Sequence, residues 1–161
     1  RKEHDKIIEY QKDAKKFGIN ILPVDLNKSD IKYRIIRKKD DGNGKTEILP
    51  SLMVKGIGPE PAKNLIAHRP YKDLREISQK TDTKLVDLDV IGCLCEAGVF
   101  NKAFNSFKRQ NMKGKARLTR DQEDRLLEDF KAFWQKKFRS LRLDMKAAAK
   151  RGVESGDIFG D

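Results

Sequence analysis

This 161-residue chain is poor in the residues that would announce a metal centre, a disulfide scaffold or a membrane span: two cysteines, two histidines, one tryptophan and 7% aromatic residues. Cys93 and Cys95 are too few for a disulfide framework and fit a thiol-reducing, cytoplasmic setting. Nor does Cys-x-Cys, with only His4 and His68 elsewhere, have the spacing of a closed four-ligand zinc site. The pair reads instead as free thiols buried on an apolar helix, and no metal is expected. Apolar runs stop after a few residues, as in Val90-Ile91-Gly92-Cys93-Leu94-Cys95, whereas roughly 20 are needed to span a bilayer. A helical membrane protein is excluded, and nothing near Arg1 has the apolar stretch of a signal peptide. Position 1 is not Met, which suggests a piece of a longer chain.

Positive charge is what the sequence has in excess. Thirty-six Lys and Arg oppose 25 Asp and Glu, for a net charge of +11. Such a surplus favours a polyanionic partner, because each neutralised phosphate releases counterions. The stretch from Lys102 to Arg117 holds Lys102, Lys108, Arg109, Lys113, Lys115 and Arg117 without one acid, and reads as a basic linker over 101–118.

Periodicity divides the remainder. Ile7, Tyr10, Ala14 and Phe17 recur at helical spacing, and Gly18 stands where a left-handed cap ends a helix. Ile19-Asn20-Ile21-Leu22-Pro23 is short and extended. Ile31, Tyr33 and Ile35 alternate with Lys32 and Arg34 as a strand with one buried face, and Asp40-Asp41-Gly42-Asn43-Gly44 is a turn from which Thr46 to Leu49 returns. Residues 1–49 therefore predict a helix and a two-stranded hairpin. Residues 50–100 are helical in short pieces, with Pro59 and Pro61 in the first turn of a helix and Pro70 stopping it. In 119–161, Thr119-Arg120-Asp121-Gln122 is a capping box, followed by Leu127, Phe130, Trp134, Phe138, Leu141 and Met145 at helical spacing. One or two long helices and a mobile tail from Gly152 are expected there. The fold class is mainly α with a small β-hairpin.

The most informative segment runs from Leu52 to Arg69 and reads as a short helix, then Gly56-Ile57-Gly58, then a second helix carrying Ala62, Leu65 and Ile66. Glycines on either side of Ile57 permit a tight turn and a close backbone approach to a ligand. Ile57 plugs into the core, and the turn offers amide groups at a helix start as an anion site. This is the logic of a helix-hairpin-helix gripping a phosphate backbone without reading bases. Lys55, Lys63 and Arg69 add charge. An ordinary turn in which the glycines serve geometry alone is the bland alternative.

Several segments resemble the C-family replicative DNA polymerases, the family of the bacterial DNA polymerase III alpha subunit. They are Tyr10 to Ser29, with its Phe17-Gly18-Ile19 and Leu22-Pro23-Val24-Asp25-Leu26-Asn27-Lys28-Ser29; Lys55-Gly56-Ile57-Gly58 with Ala62; Pro70-Tyr71-Lys72-Asp73-Leu74; and Leu94-Cys95-Glu96-Ala97-Gly98-Val99-Phe100. Glu154-Ser155-Gly156-Asp157-Ile158-Phe159-Gly160 is similar to the family's closing segment. Val24, Pro50, Asn101 and Ser155 depart from the family pattern, and Ser155 weakens any link to a sliding clamp. The resemblance implies tandem helix-hairpin-helix elements over 50–100 that follow the palm and fingers and hold duplex DNA. It makes the Ala97-Gly98-Val99 turn a degenerate second hairpin. It also implies the rest of a polymerase chain and replisome proteins as partners, and Mg²⁺ in the parent nucleotidyltransferase but no cofactor for this segment.

No catalytic residue is expected in the chain itself. Asp87-Leu88-Asp89 has a strand-like metal spacing but lies in a helical pattern, where i and i+2 diverge. Lys131, Arg139, Arg142, Lys146 and Lys150 share one helical face and read either as a DNA stripe or as a solvated surface. A free-standing DNA repair or recombination accessory protein with a protein-docking helix is the rival reading. An RNA-binding module fits less well, since Tyr10, Tyr33 and Tyr71 are scattered rather than forming a stacking platform.

Overall fold

The computed structural model describes residues 2–37, 46–112, 114 and 117–154. The turn expected at Asp40 to Gly44, Lys113, Lys115 and the tail from Ser155 lie outside the described residues. The chain begins with α1 (Lys2–Lys16), which ends at Gly18 with φ +74°. Three strands follow, β1 (Ile19–Ile21), β2 (Arg34–Arg37) and β3 (Thr46–Leu49), in the order β1-β3-β2.

This sheet corrects the two-stranded expectation. Strand β3 pairs antiparallel with β2 but also parallel with β1, Ile19 standing opposite Thr46 and Ile21 opposite Ile48. The buried face expected of the Tyr33 and Ile35 alternation is also absent: their exposures are 64% and 49%. Only Ile31, ahead of the strand, packs against the main core.

That core lies among α2 (Pro59–Ala67), α3 (Leu74–Lys80), α4 (Leu88–Glu96), α5 (Asn101–Asn111) and α6 (Arg120–Glu154). Two of the helices owe their starts to aspartates, since Asp73 accepts from the Glu76 amide and Asp87 from the Val90 amide. Asp87 is thus a helix cap rather than half of a metal pair. Helix α6 is a single element of 35 residues. Its capping box is reciprocal: the Gln122 amide donates to Thr119 Oγ1 at 3.2 Å, and the Thr119 amide to Gln122 Oε1 at 2.9 Å.

The expected basic linker is the second correction, because its first eleven residues form α5. Phe104 and Phe107 put their rings 5.3 and 5.5 Å from Phe130 of α6, and Phe130 stacks on Trp134 at 5.1 Å. This apolar stripe outweighs the charge between its members, since burying each ring is worth roughly 1.5–3 kcal/mol.

Candidate nucleic-acid interface

The short helix expected before Gly56 does not form. Its amides are drawn elsewhere: Leu52 donates to the Asp30 carbonyl at 2.8 Å, Met53 to Ser51 Oγ at 2.9 Å, and Val54 to the Leu52 carbonyl at 2.8 Å. Six residues headed by Pro50 cannot nucleate a helix against such competition. The Gly-x-Gly turn is instead hung between an extended segment and α2.

Within that turn each residue has its own task. Gly56 sits at φ +90°, and a Cβ there would lie 2.4 Å from Cys93 Sγ of α4, so the turn rests directly on that helix. Ile57 is buried in the core, as its flanking glycines suggest, and its amide donates to the Val54 carbonyl at 2.9 Å. Gly58 caps α2 in an extended conformation, φ −80° and ψ −179°, and a Cβ at this position meets nothing within 4 Å. Pro59 and Pro61 carry no N–H, which leaves the Gly58 and Glu60 amides as the donors this end of α2 has to offer. Lys55 and Lys63 are exposed on either side. The Glu60 carboxylate stands in the same first turn and partly opposes an anion.

Arg69 is placed differently from the sequence expectation. Its Nη1 donates to the Ser29 carbonyl at 2.6 Å and its Nη2 to Asp30 Oδ1 at 2.7 Å. The guanidinium thus ties α2 to the 26–30 loop, whose other tether is Asn27, exchanging two hydrogen bonds with the Tyr71 backbone at 2.7 and 3.0 Å. Next to Arg69, His68 is exposed and its Nδ1 lies 3.0 Å from the Asn64 carbonyl.

At the second turn, Gly98 has φ +83° and joins two complete helices, α4 and α5. Its amides, however, are used to close α4. Ala97 donates to the Cys93 carbonyl at 3.0 Å, Gly98 to Cys95 at 3.1 Å, and Val99 to Leu94 at 3.0 Å. Each turn therefore holds part of a helix-hairpin-helix: the first has an open glycine but lacks its leading helix, and the second has both helices but spends its turn amides internally. Gly56 of the first turn abuts Cys93 of α4, the helix that leads into the second turn.

Burial raises the Cys93 thiol and pushes that of Cys95 up to about 12. Among the described residues no three His, Cys, Asp or Glu side chains are grouped to hold a metal ion, and no helix is long and apolar enough to cross a membrane.

Of the α6 basic stripe, two members turn inward. Lys131 pairs with Glu96 at 2.8 Å. Arg142 donates to the carbonyls of Thr83 and Val86 and to Thr81 Oγ1, with its guanidinium 4.3 Å from the Phe138 ring centre. No local signal marks Arg142 for this role, since its three partners are about sixty residues away in sequence. Arg139, Lys146 and Lys150 stay exposed, as does Lys136, which the sequence reading passed over.

Residues 18–112 match the family model described as a helix-hairpin-helix motif. The chain is similar to DNA polymerase III subunit alpha of Aquifex aeolicus, with 33% identity over 71% of this chain and 10% of that protein. The corresponding subunit of Thermus aquaticus is 28% identical over 63% of the chain and 8% of its own length. An error-prone DNA polymerase of Corynebacterium efficiens is 28% identical over 49% of the chain and 7% of its length. The chain spans a tenth or less of these relatives.

Proposed function

The chain belongs to the helix-hairpin-helix motif family, and from that premise we propose that it is the sequence-independent DNA-binding segment of a C-family DNA polymerase. It would hold template-primer duplex by its phosphates. The observation that carries this reading is Gly58. Its backbone is extended and the space above it is open, so nothing inside the fold requires glycine there. A phosphodiester approaching the Gly58 and Glu60 amides does require it, because a side chain at this position would stand in its path. Lys55 and Lys63 supply charge beside the turn, while Gly56 and Ile57 fix its shape and Arg69 holds α2 in place. The Ala97-Gly98-Val99 turn contributes through the start of α5, where Lys102 is exposed, rather than through its own amides.

Similarity to much longer polymerase subunits supports the further proposal that this segment works within such a chain, alongside replisome proteins, in the cytoplasm at the nucleoid. Nucleotidyl transfer and its Mg²⁺ would belong to another part of that chain.

The test is fluorescence anisotropy of several unrelated duplexes with the parent chain and Gly58→Val. The variant is expected to stay folded and to lose about tenfold or more in affinity, the effect of weakening one or two charge-assisted hydrogen bonds. Unchanged affinity in a folded Gly58→Val protein would overturn the hairpin reading.

A further inference from the structure

The last nine residues of α6 extend beyond the inward contacts seen among the described residues. Among the described side chains, the last buried or inward-bonded ones are Leu141, Arg142 and Met145, whose sulfur lies 3.6 Å from Ser78 Oγ. The helix nevertheless continues to Glu154. Ala147-Ala148-Ala149 gives this extension the highest intrinsic helix propensity available without tertiary support.

Charge is divided sharply along α6. From Asp121 to Asp129 there are five acids, whereas from Lys131 to Arg151 Asp144 is the only one. Lys136, Arg139, Lys146 and Lys150 are all exposed, and their steps of three, seven and four residues put them on one flank of the helix, with Leu143 between them. Asp144 falls off this row by the same geometry. Among the described residues no ion pair joins any of these four to a carboxylate.

We propose that this flank is a second contact surface for duplex DNA, laid along the phosphate backbone. The proposal rests on the DNA-binding reading above. The four cations extend over about 21 Å at 1.5 Å per residue, roughly the axial length of six base pairs at 3.4 Å each. Such a row suits a polyanion of regular spacing, and it neutralises phosphates without base contacts.

The experiment uses the full chain in three forms: parent, Gly58→Val, and a variant combining Lys136→Gln, Arg139→Gln, Lys146→Gln and Lys150→Gln. All four substituted side chains are exposed, so the combined variant is expected to keep its unfolding midpoint. Affinity for a duplex of about 20 base pairs is measured across a salt series, with vesicles rich in anionic lipid as a control. The combined variant is expected to lower the salt slope by about three to four, the counterion release of four phosphates, while Gly58→Val weakens binding with a smaller change in slope. An unchanged slope and affinity in the combined variant, with Gly58→Val still impaired, would overturn the second surface and leave the hairpin standing. If the parent binds no duplex at all, both readings fall. Loss of vesicle binding alone in the combined variant would assign the flank to lipid and also overturn the proposal.

Discussion

Gly56 and Gly58 stand one residue apart and lack side chains for different reasons. At Gly56 the cause is internal, since φ is +90° and a Cβ would collide with Cys93 Sγ. Gly56→Ala should therefore cost about 1–3 kcal/mol in urea unfolding. Part of that loss should return in the double variant with Cys93→Ala, which removes the colliding sulfur but not the backbone strain. Simple additivity of the two single losses would show that the close approach is not the cause. At Gly58 the backbone is one that any residue adopts, so Gly58→Val should leave the urea midpoint nearly unchanged while DNA affinity falls. Burial also sets a pH dependence. It raises the Cys95 thiol from 9.0 to about 12, and it raises the Tyr71 phenol from 10.0 to about 12 although Arg69 opposes it. Because both values are higher in the fold than in the unfolded chain, the stability they contribute is complete below about pH 9 and lost as pH rises toward 12. Unfolding midpoints should fall over that interval, less steeply in Tyr71→Phe, and a flat alkaline profile in the parent would contradict the burial of these groups.

Helix α6 combines a long anchored stretch, up to Met145, with a shorter C-terminal extension. Its anchor depends on Phe130 and Phe138, both almost fully buried, and Phe138→Ala should destabilise by about 3–5 kcal/mol. Losing the capping box in Thr119→Ala should cost about 1 kcal/mol, because the Gln122 amide then loses its acceptor. Removing everything after Met145 should leave the thermal midpoint nearly unchanged, since 146–152 are exposed and no buried residue among the described ones lies beyond Met145. A large drop in midpoint after this truncation would mean that the extension is part of the folded core. Helix α5 teaches a related lesson: its surface is basic, yet Phe104 and Phe107 fix its position, so Phe104→Ala should loosen it more than any charge reversal along it.

For the molecule as a whole, the proposed contacts of turn amides and of Lys and Arg side chains would reach phosphates rather than base edges. Binding should be alike on unrelated duplexes and fall by orders of magnitude between roughly 50 and 200 mM salt if six or more phosphates are neutralised. A strong preference for one sequence would defeat this picture. The Asp87 carboxylate, which accepts from the Val90 amide as the cap of α4, is not expected to support nucleotidyl transfer with Mg²⁺. A primer-extension assay with added Mg²⁺ decides this, and turnover abolished by Asp87→Asn would reverse the assignment of Asp87 as a cap.

The sequence by itself determined the features that act over a few residues. The stop at Gly18, the prolines at the head of α2, the plug of Ile57 and the Thr119 capping box all follow from backbone conformation and bonds spanning three or four positions, so they are legible without knowing what lies opposite. Tertiary structure decided what depends on a distant surface. Parallel pairing of Ile19–Ile21 with Thr46–Leu49 needs a strand more than twenty residues away. Residues 101–111 become a helix because α6 offers an apolar face to Phe104 and Phe107. The segment before Gly56 stays extended because Asp30 and Ser51 claim its amides. Arg69 and Arg142 face inward for the same reason. A long cationic side chain can bond distant backbone carbonyls or remain in solvent, and its own neighbours in sequence do not fix that choice; the carbonyls that the fold brings within its reach do.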